Sequence, residues 1–108
     1  MDENQVISAL GALAQETRLR ILRFLVTKGN DGASAGEIGG AVDAASSRAS
    51  FHLSTLANAG LVTAERQSRH IIYRVNFGAV GGMIGYLVND CCGNHQEVVS
   101  CCGLPKSC

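Results

Sequence analysis

The chain has 108 residues, 46% of them hydrophobic and 17% charged, with nine Lys or Arg balanced by nine Asp or Glu. That length suits one domain with a modest core and leaves too little chain for a large enzymatic cleft. No apolar run approaches the roughly 18 residues of a membrane span, and the acidic start Met1-Asp2-Glu3-Asn4 lacks the basic-then-apolar order of a signal peptide, so a cytosolic chain is expected.

Val6, Leu10 and Leu13 recur at helical spacing, and a second helix opens around Thr17 with Leu19, Leu22 and Val26 on one face. Lys28-Gly29 ends it with a base followed by a glycine cap, and Gly29-Asn30-Asp31-Gly32 reads as a turn. Ser34-Ala35-Gly36-Glu37 fits a capping box, opening a third helix with Ile38, Ala41 and Val42 as its apolar face and a stop near Asp43. Ser46 or Ser47 then caps a fourth helix, whose stripe Ala49, Leu53 and Leu56 ends at Gly60.

Beyond Gly60 the period changes. Leu61 to Arg66 and Ile71 to Val75 read as two strands around the polar tip Gln67-Ser68-Arg69-His70. Phe77 to Val88 returns to helical spacing through Val80, Met83, Ile84 and Leu87. Gly78, Gly81, Gly82 and Gly85 each cost about 1 kcal/mol relative to alanine in an exposed helix. Either the segment frays, or a second backbone packs closely against it, as in a dimer interface. The chain therefore divides into a domain over 1–90 and a tail over 91–108, which has little periodicity from Gly93 onward and is expected to be mobile until a ligand orders it.

The neutral total hides a local excess of base. From Ala44 to Asn76, Arg48, Arg66, Arg69 and Arg74 face the single acid Glu65, and phosphate contacts respond to local charge. The order helix, turn, helix, two-stranded hairpin is that of a winged helix-turn-helix. The segments Glu16-Thr17-Arg18-Leu19-Arg20-Ile21-Leu22, Ser50-Phe51-His52-Leu53-Ser54-Thr55-Leu56, Ala59-Gly60-Leu61-Val62 and Ile72-Tyr73-Arg74-Val75 resemble the ArsR/SmtB family of metal-responsive bacterial repressors, over about Leu10 to Leu87. The resemblance implies a mainly α fold with a β-hairpin, about five helices and a two-stranded wing, and a homodimeric repressor released from double-stranded operator DNA by a metal or metalloid.

The residues of the fourth helix off its buried stripe, Ser46, Ser47, Arg48, Ser50, Phe51 and Ser54, are expected to face the major groove. Arg48 is the candidate for base reading, because a guanidinium bonds guanine in a bidentate way; the serines either cap the helix or contact DNA. Phe51 stands where such families commonly carry a polar residue, and either touches a thymine methyl or folds back onto a neighbour. His52 matches the family's histidine beside the leucine, where a structural role is favoured over a phosphate contact. On the wing, Arg66, Arg69 and His70 are candidates for phosphate or minor-groove contact.

All five cysteines lie in the last eighteen residues, as the pairs Cys91-Cys92 and Cys101-Cys102 and the final Cys108. Neighbours across a trans peptide have Cα atoms about 3.8 Å apart, below the usual disulfide range, so paired thiols stay available to a soft ligand. The segment Ser34 to Val42 has no cysteine, and the last helix offers only Asp90 with His95 and Glu97 beyond it, which speaks against two inducer sites familiar in the family. The placement of Cys91 and Cys92 resembles that of arsenite-responsive members. As(III), or Sb(III), favours three thiolates and zinc four ligands; Cys91 and Cys92 with Cys101 or Cys102 supply the first, both pairs supply the second, and Cys108 is a weaker substitute. No organic cofactor is expected. The rival readings are a redox-sensing or zinc- or cadmium-sensing repressor of the same fold, and a thiol-based metal chaperone or reductase. The reductase lacks a C-x-x-C pair and a phosphate-cradling loop, so a non-enzyme is expected.

Overall fold

The structure, a computed structural model, describes residues 1–102, the last two by their backbone path alone. Helix α1 (Glu3–Leu13) starts from a capping box in which Asp2 accepts from the Gln5 amide at 2.8 Å and the Gln5 side chain accepts from the Asp2 amide at 2.8 Å. It buries Val6, Ala9 and Ala12, whereas Leu10, expected inside, is exposed. Helix α2 (Glu16–Lys28) is capped by Gln15 and ends on Gly29 at φ 55°. Its buried residues are Ile21, Leu22 and Leu25, while Leu19 and Val26, expected on the core face, are exposed. Both helices carry two overlapping apolar stripes, and periodicity alone does not say which turns inward.

A single 3-10 turn (Gly29–Asp31) leads to the short strand β1 (Ala33–Ser34). Strands β2 (Val62–Gln67) and β3 (His70–Val75) pair antiparallel to form the wing, and β1 adds to the other edge of β3 through Ala33 opposite Tyr73 and Ser34 opposite Ile72. The sequence carries no sign of this third strand because two residues are too few to show a period. Gly32 makes it possible: its φ is 66°, and a Cβ there would lie 2.5 Å from the Tyr73 carbonyl oxygen.

Helix α3 (Ala35–Val42) begins at the expected Ser34–Glu37 capping box and ends at Asp43, which is left-handed at φ 57°. It buries Ile38 and Gly39, while Ala41 is exposed. The Ala44 amide donates to the Gly39 carbonyl at 2.9 Å, closing the turn into α4 (Ser46–Asn58). Ala49, Leu53 and Leu56 of α4 are fully buried with Ile21, Leu25, Ile38 and Leu61. The cap differs from expectation: Ala45 holds the N-cap position without a side-chain bond, so Ser46 and Ser47 are helical residues.

Helix α5 (Phe77–Gly85) is capped by Asn76, whose Oδ1 accepts from the Ala79 amide at 3.1 Å, and Met83 is its buried residue. The expected single helix to Val88 instead widens into a π turn (Tyr86–Cys91) that buries Val88, with the Cys92 amide donating to the Leu87 carbonyl at 3.0 Å. The chain then reverses through Gly93 and Asn94, both at positive φ, into a sixth helix, α6 (Gln96–Cys102), where an irregular path was expected. Local order supports α6: the Glu97 amide donates to His95 Nδ1 at 3.2 Å, Glu97 lies in the first turn, and Val99 is buried. Among the described residues no helix is long and apolar enough to cross a membrane.

Candidate nucleic-acid interface and thiol site

Helix α4 lies across α3 with the wing beside it, and this arrangement sorts the candidate residues into three groups. Ser46, Ser47, Arg48, Phe51 and Ser54 are exposed on the open side of α4. Half-buried Ser50 joins Arg69, His70, Tyr73, Ser34 and Gly36 in lining a cleft of about 340 Å³ between the wing tip, the start of α3 and α4. Arg66 projects from β2, also exposed. Among the described residues Arg48, Arg66 and Arg69 form no ion pair, so their charges remain open to an anionic partner.

Arg74 is different. Its Nε donates to the Asn30 carbonyl at 2.7 Å and its guanidinium pairs with Glu65 at 3.1 Å, which ties β3 to the turn before β1 and to β2. The hydrogen bond from Gln67, and then those and the charge of Arg74, hold the Glu65 carboxyl below its ordinary value. This arginine stiffens the base of the wing, a role that sequence alone did not indicate.

His52 is turned inward, with 8% of its surface exposed. Its Nδ1 lies 3.4 Å from the Arg18 guanidinium, and Arg18 Nε donates to the Ala12 carbonyl at 2.5 Å. The last turn of α1, the start of α2 and the middle of α4 are thereby joined through one guanidinium, that of Arg18. Burial, and then the positive charges of Arg18 and Arg48, hold His52 below its ordinary value of 6.5. The unfolded chain therefore takes up a proton at His52 as pH falls through about 6.5 while the folded chain stays neutral, so folding stability falls with pH and the decline ends below the depressed folded pKa. We expect the thermal midpoint to drop between pH 7.5 and 5.5, and the drop to be shallower in His52→Gln. An equal slope in both proteins would contradict the assignment.

Cys91 and Cys92 are exposed, unpaired thiols at the end of the π turn. Local desolvation, followed by the charge of Cys91 and a hydrogen bond with it, pushes the Cys92 thiol up, so a thiophilic ligand must displace a proton on binding. The Tyr86 hydroxyl is pushed up first by burial and then by the negative charges of Glu3, Asp90, Cys91 and Asp2. The start of the chain lies against α5, where a Cβ at Gly82 would meet the Met1 side chain at 3.4 Å. Among the described residues no three His, Cys, Asp or Glu side chains come together as a metal site. The described thiols thus supply two donors; Cys101 and Cys102 end α6 by backbone, and Cys108 lies outside the described residues.

A family model described as a helix-turn-helix domain matches residues 13–65. The chain is 33% identical over 88 residues to the HTH-type transcriptional regulator YgaV of Escherichia coli (strain K12), covering 82% of this chain and 87% of that protein. Similar solved structures include two at 29% identity. One is the homodimeric winged helix-turn-helix DNA-binding domain of Mb0332 from Mycobacterium bovis, described as a possible ArsR-family transcriptional regulator, with a TM-score of 0.66 over 87% of this chain and 83% of that one. The other is described as a possible transcriptional regulator for arsenical resistance, with a TM-score of 0.64 over 70% of this chain and 76% of that one.

Proposed function

Because the chain belongs to the ArsR family of winged helix-turn-helix transcriptional regulators, we propose that it is a homodimeric repressor of a metalloid-resistance operon, released from its operator when As(III), or Sb(III), binds the C-terminal thiolates. The observation that carries the ligand reading is the exposed vicinal pair Cys91-Cys92 at the end of the last turn of the α5 segment. Two adjacent thiolates suit a soft ion that takes three sulfurs, with the third from Cys101 or Cys102. The similarity to a protein described as a possible transcriptional regulator for arsenical resistance agrees with this choice.

Dimerisation draws on apolar side chains the fold leaves outside. Ile7 and Leu10 on α1 and Phe77 and Ile84 on α5 are exposed large hydrophobics at the two ends of the chain, away from α4 in sequence. A two-fold pair through these helices presents two copies of α4 to successive major grooves, as operator half-sites require. Arg48 then reads a base and Ser46, Ser47, Ser50 and Ser54 position the helix, while Arg66, Arg69 and His70 grip the backbone. Drawing Cys91 and Cys92 toward the end of α6 reshapes the π turn, and with it the α5 contact that sets the spacing of the two α4 helices.

An operator-binding titration with arsenite, antimonite, zinc, cadmium and peroxide added separately tests the proposal. Arsenite and antimonite should weaken binding about 5–150-fold, the usual range of coupling between two sites. Release by peroxide alone would replace this reading with a redox sensor. For the DNA face, Arg48→Ala should cost about 1–3 kcal/mol on the selected operator and relax the sequence preference under that side chain. A loss equal on all sequences would reassign Arg48 to phosphate.

A further inference from the structure

Phe51 is the one apolar residue among the exposed positions of α4 from Ser46 to Ser54, and 66% of its surface is open. It does not fold back into the core. At about 100° per residue, Ser47, Phe51 and Ser54 fall on the stripe opposite Ala49, Leu53 and Leu56. Phe51 thus occupies the centre of the most outward line of the helix, with Ser47 one turn before it and Ser54 one turn after. Arg48 flanks the same line and forms no ion pair among the described residues.

The ring is also supported from behind. His52 meets it edge to face at 5.7 Å between centroids and an interplanar angle of 70°. His52 is itself buried and held by Arg18, which is anchored on the Ala12 carbonyl. An exposed aromatic on a polar helix face that also carries the unpaired Arg48 suits a partner that is apolar locally and anionic overall. In the major groove the base-pair edges offer donors and acceptors, with one apolar projection, the C5-methyl of thymine.

We infer that Phe51 is a specificity-determining residue that packs against the C5-methyl group of a thymine in each operator half-site. This rests on the DNA-reading role of α4 proposed above. Phe51 selects thymine over cytosine by apolar contact where a polar residue would seek a hydrogen bond, so the half-site requires a thymine within reach of the second turn of α4.

The test uses the full-length chain and an operator selected from a pool of random-sequence duplexes. Each thymine of the half-site is replaced in turn by uracil, which keeps the Watson–Crick edge and removes the methyl group. At one position in each half-site, uracil should weaken wild-type binding about fourfold, equivalent to about 0.8 kcal/mol at 25 °C. Phe51→Ala should bind the thymine and uracil duplexes equally, whereas Arg48→Ala should keep the fourfold preference while binding both more weakly. Phe51 is exposed, and alanine is a better helix former, so the variant is expected to fold. Wild-type indifference to uracil at every position overturns the inference and leaves the repressor reading intact. So does Phe51→Ala weakening all duplexes alike, which would place the ring against the sugar-phosphate wall. Failure to select any duplex from the pool overturns the DNA-reading premise and the inference together.

Discussion

Replacing Cys91 and Cys92 by serine should leave operator affinity within about twofold of wild type and abolish release by arsenite. Both residues are exposed and their thiols take no part in the core, so the double substitution removes two sulfur donors without opening a cavity. Serine is close to cysteine in size and is tolerated at an exposed position, but loses the soft donor on which a thiophilic ion depends. In wild type the arsenite effect should be about 5–150-fold, and the double variant should show none of it. Gel retardation with and without arsenite measures both halves of the prediction. Release that persists in the double variant would move the inducer site away from this pair. Single variants at Cys91 or Cys92 should be impaired less than the double variant, because the remaining thiol with Cys101 and Cys102 still supplies three sulfurs.

Gly39→Ala should destabilise the domain by about 3 kcal/mol, the upper end for forcing an added group into a packed site. A Cβ at this position would lie 2.6 Å from the Ala44 carbonyl oxygen and 3.7 Å from the Ala49 Cβ. The obstacle is backbone, which cannot swing aside as a side chain can. Relief requires α3 and α4 to separate at the turn where the Ala44 amide bonds the Gly39 carbonyl and Asp43 is left-handed. Stability and operator affinity should therefore fall together, since the same displacement tilts α4 against the wing. Chemical denaturation gives the first number and operator titration the second. Gly40→Ala is the matched control: a Cβ there meets nothing within 4 Å, so a helical alanine in its place should be neutral or slightly stabilising.

Local chemistry made much of the DNA-reading half legible. The Ser34–Glu37 capping box, the glycine end of α2 and the stripe Ala49, Leu53 and Leu56 are short-range signals, and each appears in the fold where the residues indicate. The exposed positions on α4 follow from that stripe, because a helix with one buried face leaves the others by geometry. The inward faces of α1 and α2 were legible only in part: Val6 and Leu22 are buried as expected, but most of their buried neighbours are other residues. Leucine outranks alanine in any count of apolar positions, yet the close approach of α1 selects Ala9 and Ala12 for the interior and leaves Leu10 outside. The Arg18–His52 contact spans 34 residues of sequence and the Arg74–Asn30 contact spans 44, distances over which no periodic pattern operates.

The tail follows the same division. Sequence by itself determined that the thiols are clustered, that the first pair follows the last helix of the domain, and that adjacent cysteines are poorly suited to bond each other, since these depend on order and covalent geometry. It also determined an outward-facing α4 with Arg48 and Phe51 on it. Only the tertiary structure decided that α5 widens into a π turn at Tyr86–Cys91, that α6 follows the Gly93-Asn94 reversal, and that Phe51 stands free against a buried, arginine-held His52. These outcomes depend on which surfaces compete for the same core, a balance set by packing in three dimensions that no single window of sequence contains.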